Sequence, residues 1–119
     1  GRFELRLMDG SSNPYLLQAG IIAAGSLGLN NKIDPGEPLT CNMYEDYRNY
    51  PNLKKLPEDI EDSLSELEKS KELHEAFGEN VIKSYIKLKN MEIDDFRKDE
   101  SFNKERDITD WEKRNTLDC

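Results

Sequence analysis

Arg2-Phe3-Glu4-Leu5-Arg6-Leu7-Met8, followed by Asp9-Gly10-Ser11-Ser12 and then Asn13-Pro14-Tyr15-Leu16, is the stretch whose reading decides the fold. In the first part polar and apolar residues alternate. Strand side chains point to opposite faces in turn, so this pattern predicts a strand with Phe3, Leu5 and Leu7 on one buried face and Arg2, Glu4 and Arg6 on the other. Asp9 to Ser12 reads as a turn. Asn13-Pro14 is a helix start: the Asn side chain caps orphan N–H groups, and Pro fits the first turn, where its missing N–H has no partner.

Working outward, the next segment predicts a helix over roughly 14 to 27. It is apolar on most sides and carries small residues at Ala19, Gly20, Ala23, Ala24 and Gly25. Such a helix is expected to be buried, with Gly28 as its C-cap. Residues 30 to 56 are rich in Asn, Pro and Gly and read as a long irregular connection. Leu56-Pro57 is read as the opening of a second helix, with Ile60, Leu64 and Leu67 on one stripe. Ser70 caps a short third helix presenting Leu73 and Phe77 and ending at Gly78. A fourth runs from about 79 to 98 with Val81, Ile82, Tyr85, Leu88 and Phe96 as its apolar stripe. Residues 99 to 107 read as a loose polar segment. Thr109-Asp110-Trp111-Glu112 matches a capping box and predicts a last short helix, with Trp111 as its packing anchor. The predicted fold class is α+β and mostly α-helical: one N-terminal strand, then four or five helices.

Composition limits what such a chain can do. Its 119 residues are 35% hydrophobic and 35% charged, less apolar and more charged than an average domain. Part of its core is therefore expected to come from another chain or from further sequence. The net charge of −8 argues against a nucleic-acid footprint and against docking on an anionic membrane. No apolar run is long enough to span a bilayer, so the cytoplasm is the expected compartment. Cys41 and Cys119 have no metal-site spacing; a disulfide between them is conceivable, but the first reading is two free thiols of a reducing compartment. The chain opens directly in strand-like residues without a Met, as expected of a chain cut inside a larger fold.

Arg2, Glu4 and Arg6 are the residues that can carry chemistry. At i, i+2 and i+4 of a strand they project side by side, about 7 Å apart. Two flanking guanidiniums favour the ionised form of the carboxylate between them. An ionised carboxylate is a hard oxygen ligand for Mg²⁺ or Mn²⁺, and guanidiniums bind phosphate and carboxylate oxygens bidentately. The same pattern also suits a solvated strand face whose charges pair among themselves. His74, the single histidine, reads as a surface residue on a charged helix. Tyr44, Tyr47 and Tyr50 read as packing or interface aromatics.

The run Arg2 to Asp9, then Asn13-Pro14-Tyr15-Leu16 and Ala23-Ala24-Gly25, resembles the glutamine synthetase signature, in which an R-x-E-x-R strand precedes an NPYL turn and a small-residue helix. The similarity continues through Lys32-Ile33-Asp34-Pro35-Gly36, Asn42-Met43-Tyr44, Leu56-Pro57, Ser84 to Lys89 and the tail from Trp111 to Cys119. The tail resembles the bacterial branch that includes γ-glutamylmethylamide synthetases. The resemblance implies that residues 1–119 are a C-terminal fragment of a glutamine synthetase catalytic domain. It implies an ATP-dependent ligase that joins glutamate to ammonia or a small amine through a γ-glutamyl phosphate, with Mg²⁺ or Mn²⁺ and ATP, in a large homo-oligomer. Residue by residue, it implies Glu4 as a metal ligand, Arg2 as a contact to the ATP phosphates, and Arg6 as the catalytic contact to glutamate. Tyr44 matches a position adenylylated in some bacterial members, although no regulation is expected here. The family's other metal-ligand residues and its ammonia-site residues lie outside these 119, so the chain alone is expected to be inactive. The alternatives are a γ-glutamylmethylamide synthetase specifically, or a non-catalytic acidic helical interaction module.

Overall fold

The computed structural model describes residues 1–10, 12–99 and 108–116. The loose segment expected up to residue 107 falls, from residue 100 on, outside the described residues, as do Leu117, Asp118 and Cys119. Six α-helices are seen among the described residues: α1 (Pro14–Asn30), α2 (Met43–Asp46), α3 (Ile60–Lys69), α4 (Lys71–Phe77), α5 (Glu79–Lys98) and α6 (Asp110–Asn115). A single 3₁₀ turn, Tyr47–Asn49, follows α2.

The expected N-terminal strand is not there: among the described residues no strand forms, and residues 1–7 take no regular structure. The α+β assignment is thereby corrected to an all-helical one. The physical reason lies in what a strand requires. Its N–H and C=O groups must pair with a neighbouring strand, and alternation of side chains supplies none. The burial expected of Phe3, Leu5 and Leu7 fails with it, since they are 78%, 43% and 62% exposed.

α1 starts as its sequence dictates. Asn13 Oδ1 accepts from the N–H groups of Tyr15 (3.0 Å) and Leu16 (3.1 Å), with Pro14 in the first turn. It does not stop at Gly28. The helix runs on to Asn30 and closes with paired bonds, Lys32 N–H to Leu29 O and Ile33 N–H to Gly28 O. That is a Schellman motif, and Lys32, at φ 50°, holds the left-handed position usually taken by Gly. None of the residues of α1 is buried, which corrects the expectation of a buried helix. An apolar surface all round is necessary for burial, but burial also requires neighbours on every side.

The core forms where α3, α4 and α5 meet. Leu64, Ile82 and Ile93 are its buried apolar residues among those described. Asp59, rather than Pro57, sets the start of α3, its carboxylate accepting from Asp62 N–H at 2.8 Å. Ser70 caps α4 and Gly78, at φ 85°, ends it. The stripe predicted for α5 is only partly right: Ile82 is buried and Tyr85 and Phe96 are half-buried, Val81 and Leu88 are 47% and 52% exposed, and the buried Ile93 lies outside the predicted stripe. Arg97 of α5 pairs with Glu61 of α3. α6 begins with the predicted capping box and is seated on α5 by Trp111. The Trp111 ring meets Phe96 edge-on at 5.3 Å, and its Nε1–H donates to Asp95 at 3.0 Å.

The result is an open assembly. Its radius of gyration is 17.1 Å, against about 13.5 Å for a compact domain of this length. Its accessible surface is 10852 Å², about 4,200 Å² more than a folded monomer of this mass exposes.

Candidate functional site

Although no strand forms, the N-terminal segment separates its residues by chemistry. Phe3 and Leu5 line a shallow apolar trough whose floor is Leu16, Leu17, Gly20 and Ala24 of α1. Glu4 and Arg6 meet each other: Arg6 Nε–H donates to Glu4 Oε1 at 2.5 Å, with the two side chains 84% and 60% exposed. Arg2 is exposed at the start of the same segment. The structure therefore brings Glu4 and Arg6 together and leaves Arg2 open to solvent.

The arrangement presents one anionic oxygen pair and guanidinium N–H groups to whatever approaches from outside. It does not complete a metal site. A hard divalent cation takes about six oxygen ligands, shared among carboxylates, water and phosphate, and among the described residues no cluster of three or more His, Cys, Asp or Glu is placed to hold one. Glu4 is suited to be a single ligand of a site whose remaining ligands come from elsewhere.

A second polar cluster escapes the sequence reading. His74 is not a free surface residue. Its side chain is 19% exposed, and Nδ1 lies 2.5 Å from Glu79 Oε2. Lys83 Nζ reaches the other oxygen of Glu79 at 2.9 Å. The hydrogen bond with His74, then that with Lys83, holds the Glu79 carboxyl down at about 2. His74 Nε2 is buried without a hydrogen-bond partner. The pair ties the end of α4 to the start of α5 across Gly78. Sequence alone offers no sign of it, because a five-residue separation faces neither a common helix side nor a common strand side. The chain reversal at Gly78 creates the contact.

The loop between α1 and α3 holds Tyr44, 95% exposed on α2, whose first turn is capped by Asn42. Nearby Cys41, a free thiol, lies 3.6 Å from Met43 Sδ. No described helix is long and apolar enough to cross a membrane.

Known proteins resemble this chain along nearly its whole length. The family profile described as "Glutamine synthetase, catalytic domain" matches residues 1–114. A glutamine synthetase of Rhizobium meliloti is 43% identical over 118 residues, which is 99% of this chain and 25% of the relative. A glutamate–methylamine ligase of Methyloversatilis universalis is 36% identical over 121 residues, again 99% of this chain and 25% of the relative. A glutamine synthetase of Methanosarcina mazei is 39% identical over 99 residues, covering 81% and 22%. The chain thus spans about a quarter of the length of these curated relatives.

Proposed function

Since the chain belongs to the glutamine synthetase family, we propose that it is the C-terminal part of the catalytic domain of an ATP-dependent ligase acting on glutamate. The observation that carries this reading is the collinear match over residues 1–114, with the Glu4–Arg6 pair standing open at one end of it. In the whole enzyme ATP would phosphorylate the γ-carboxyl of glutamate, and ammonia or a small amine would displace the phosphate. Arg2 faces the ATP phosphates, and Arg6 holds and polarises the glutamate carboxyl. Glu4 would hold a divalent cation, Mg²⁺ or Mn²⁺, through its carboxylate. Phosphoryl transfer asks little covalent chemistry of a protein and much positioning and charge neutralisation, which guanidiniums supply. The working enzyme is a cytoplasmic homo-oligomer on this reading, and residues 1–119 alone are inactive.

Methylamine as the acceptor is the second reading, favoured by the glutamate–methylamine ligase among the relatives. A chimera tests both. Residues 1–119 replace the matching quarter of the Rhizobium meliloti glutamine synthetase, and phosphate release is followed with glutamate and ammonia or methylamine. The expected result is an active chimera and an inactive 119-residue chain. A folded chimera without ATP-dependent ligase activity refutes the proposal.

A further inference from the structure

His74 and Glu79 join α4 to α5 across Gly78, whose backbone is in the left-handed region at φ 85°. A glycine resists bending little, so the angle between the two helices depends on a second link. That link has a direction. A carboxylate only accepts, so the ring nitrogen 2.5 Å from Glu79 Oε2 donates, and Nδ1 carries the proton. Lys83 Nζ holds the other Glu79 oxygen at 2.9 Å and steadies the carboxylate from its far side. Nε2 is buried without a partner, so no competing hydrogen bond turns the ring away. This chain itself supplies that burial, and further sequence packed outside can only add to it.

What the clasp fixes reaches beyond α5. α4 packs on α1 as well as on α5. Leu73 and Phe77, on either side of His74 in α4, line one groove with Leu16, Leu17, Gly20 and Ala24 of α1. The same four residues of α1 line the trough against Phe3 and Leu5, and Glu4 and Arg6 belong to that N-terminal segment. Clasp, α4, α1 and N-terminal segment thus follow one another in space. Chains of packed elements of this kind pass a displacement from one site to the next. We propose that His74, donating from Nδ1 to Glu79, is a positioning residue: it sets α4, and through α4 and α1 the placing of Glu4 and Arg6. The clasp stands on its own geometry, and its service to catalysis rests on the ligase reading.

Asparagine and glutamine separate the two ring nitrogens. The Asn amide nitrogen, like Nδ1, is bonded to Cγ, whereas that of Gln lies one atom farther out, as Nε2 does. Gln is the better helix former. A role in helix stability alone would therefore favour His74→Gln over His74→Asn, and the clasp requires the reverse. In the chimera, His74→Gln is expected to raise the KM for glutamate and to lower kcat/KM roughly tenfold or more, as small misplacements far from the chemistry do. His74→Asn should recover most of both. A mere loss of folded enzyme would lower kcat and leave KM unmoved. In the 119-residue chain, ¹⁵N NMR should find Nδ1 of His74 protonated. The amide shifts of Phe3 to Arg6 should move in His74→Gln and return in His74→Asn. A folded but inactive unaltered chimera counts against the ligase reading, and the NMR measurements then decide the clasp. A bare or averaging Nδ1, or a His74→Gln variant equal to His74→Asn in KM and in those shifts, would overturn the proposal.

Discussion

The Arg6 guanidinium and the Glu4 carboxylate meet at 2.5 Å on the outside of the N-terminal segment, while Leu5 between them turns toward α1. An ion pair so exposed contributes little to stability, about 0–1 kcal/mol. Its value lies in what else can approach it. In the active chimera, Glu4→Gln is expected to lower the turnover rate by roughly 10², the usual loss when one electrostatic group acting on the transition state is removed. Raised Mn²⁺ should restore part of that rate, and the melting temperature should hardly move. Unchanged activity at ordinary metal concentration would reduce Arg2, Glu4 and Arg6 to a solvated charged segment.

Acid stability should follow Glu79. Its folded value of about 2 lies below the ordinary 4.5, so the fold favours the ionised carboxylate. The contribution is present above about pH 4.5 and is lost as pH falls toward about 2. The unaltered chain should melt higher than Glu79→Gln at pH 6, and the difference should vanish by about pH 2. A difference that persists at pH 2 would assign the effect to packing.

Lys32 holds a left-handed backbone position, at φ 50°, that costs a residue with a Cβ roughly 1 kcal/mol. Lys32→Gly removes that cost at some expense in unfolded-state entropy. A net gain of roughly 0.5 kcal/mol is expected by chemical denaturation, whereas Asn31→Gly should give no gain.

At α6, Thr109 is 3% exposed and both halves of the capping box are made, Thr109 Oγ1 accepting from Glu112 N–H and Glu112 Oε2 accepting from Thr109 N–H. Thr109→Ala should cost about 1 kcal/mol. Trp111 is the sole tryptophan, so the red shift of its fluorescence in Thr109→Ala reports release of the helix from Phe96. An unshifted spectrum would show that α6 docks without its cap.

Sequence by itself determined what depends on near neighbours along the chain. The starts of α1, α4 and α6 follow from Asn13, Ser70 and Thr109, since a capping side chain reaches only two or three residues ahead. The left-handed Gly78 ends α4 by the same local logic, and the run from Arg2 to Leu16 identified the family. Tertiary structure decided everything that needs a distant partner. Phe3, Leu5 and Leu7 alternate as a strand does, yet no strand forms, because pairing requires a second edge. α1 is apolar all round, yet none of it is buried, because burial depends on what surrounds a helix. His74 reads as a lone surface residue until the turn at Gly78 folds Glu79 against it. Glu4 and Arg6 were legible as a pair from spacing. That they stand together at the surface, in no cluster of three or more His, Cys, Asp or Glu among the described residues, depends on how the rest of the chain packs, and no spacing along one segment encodes that.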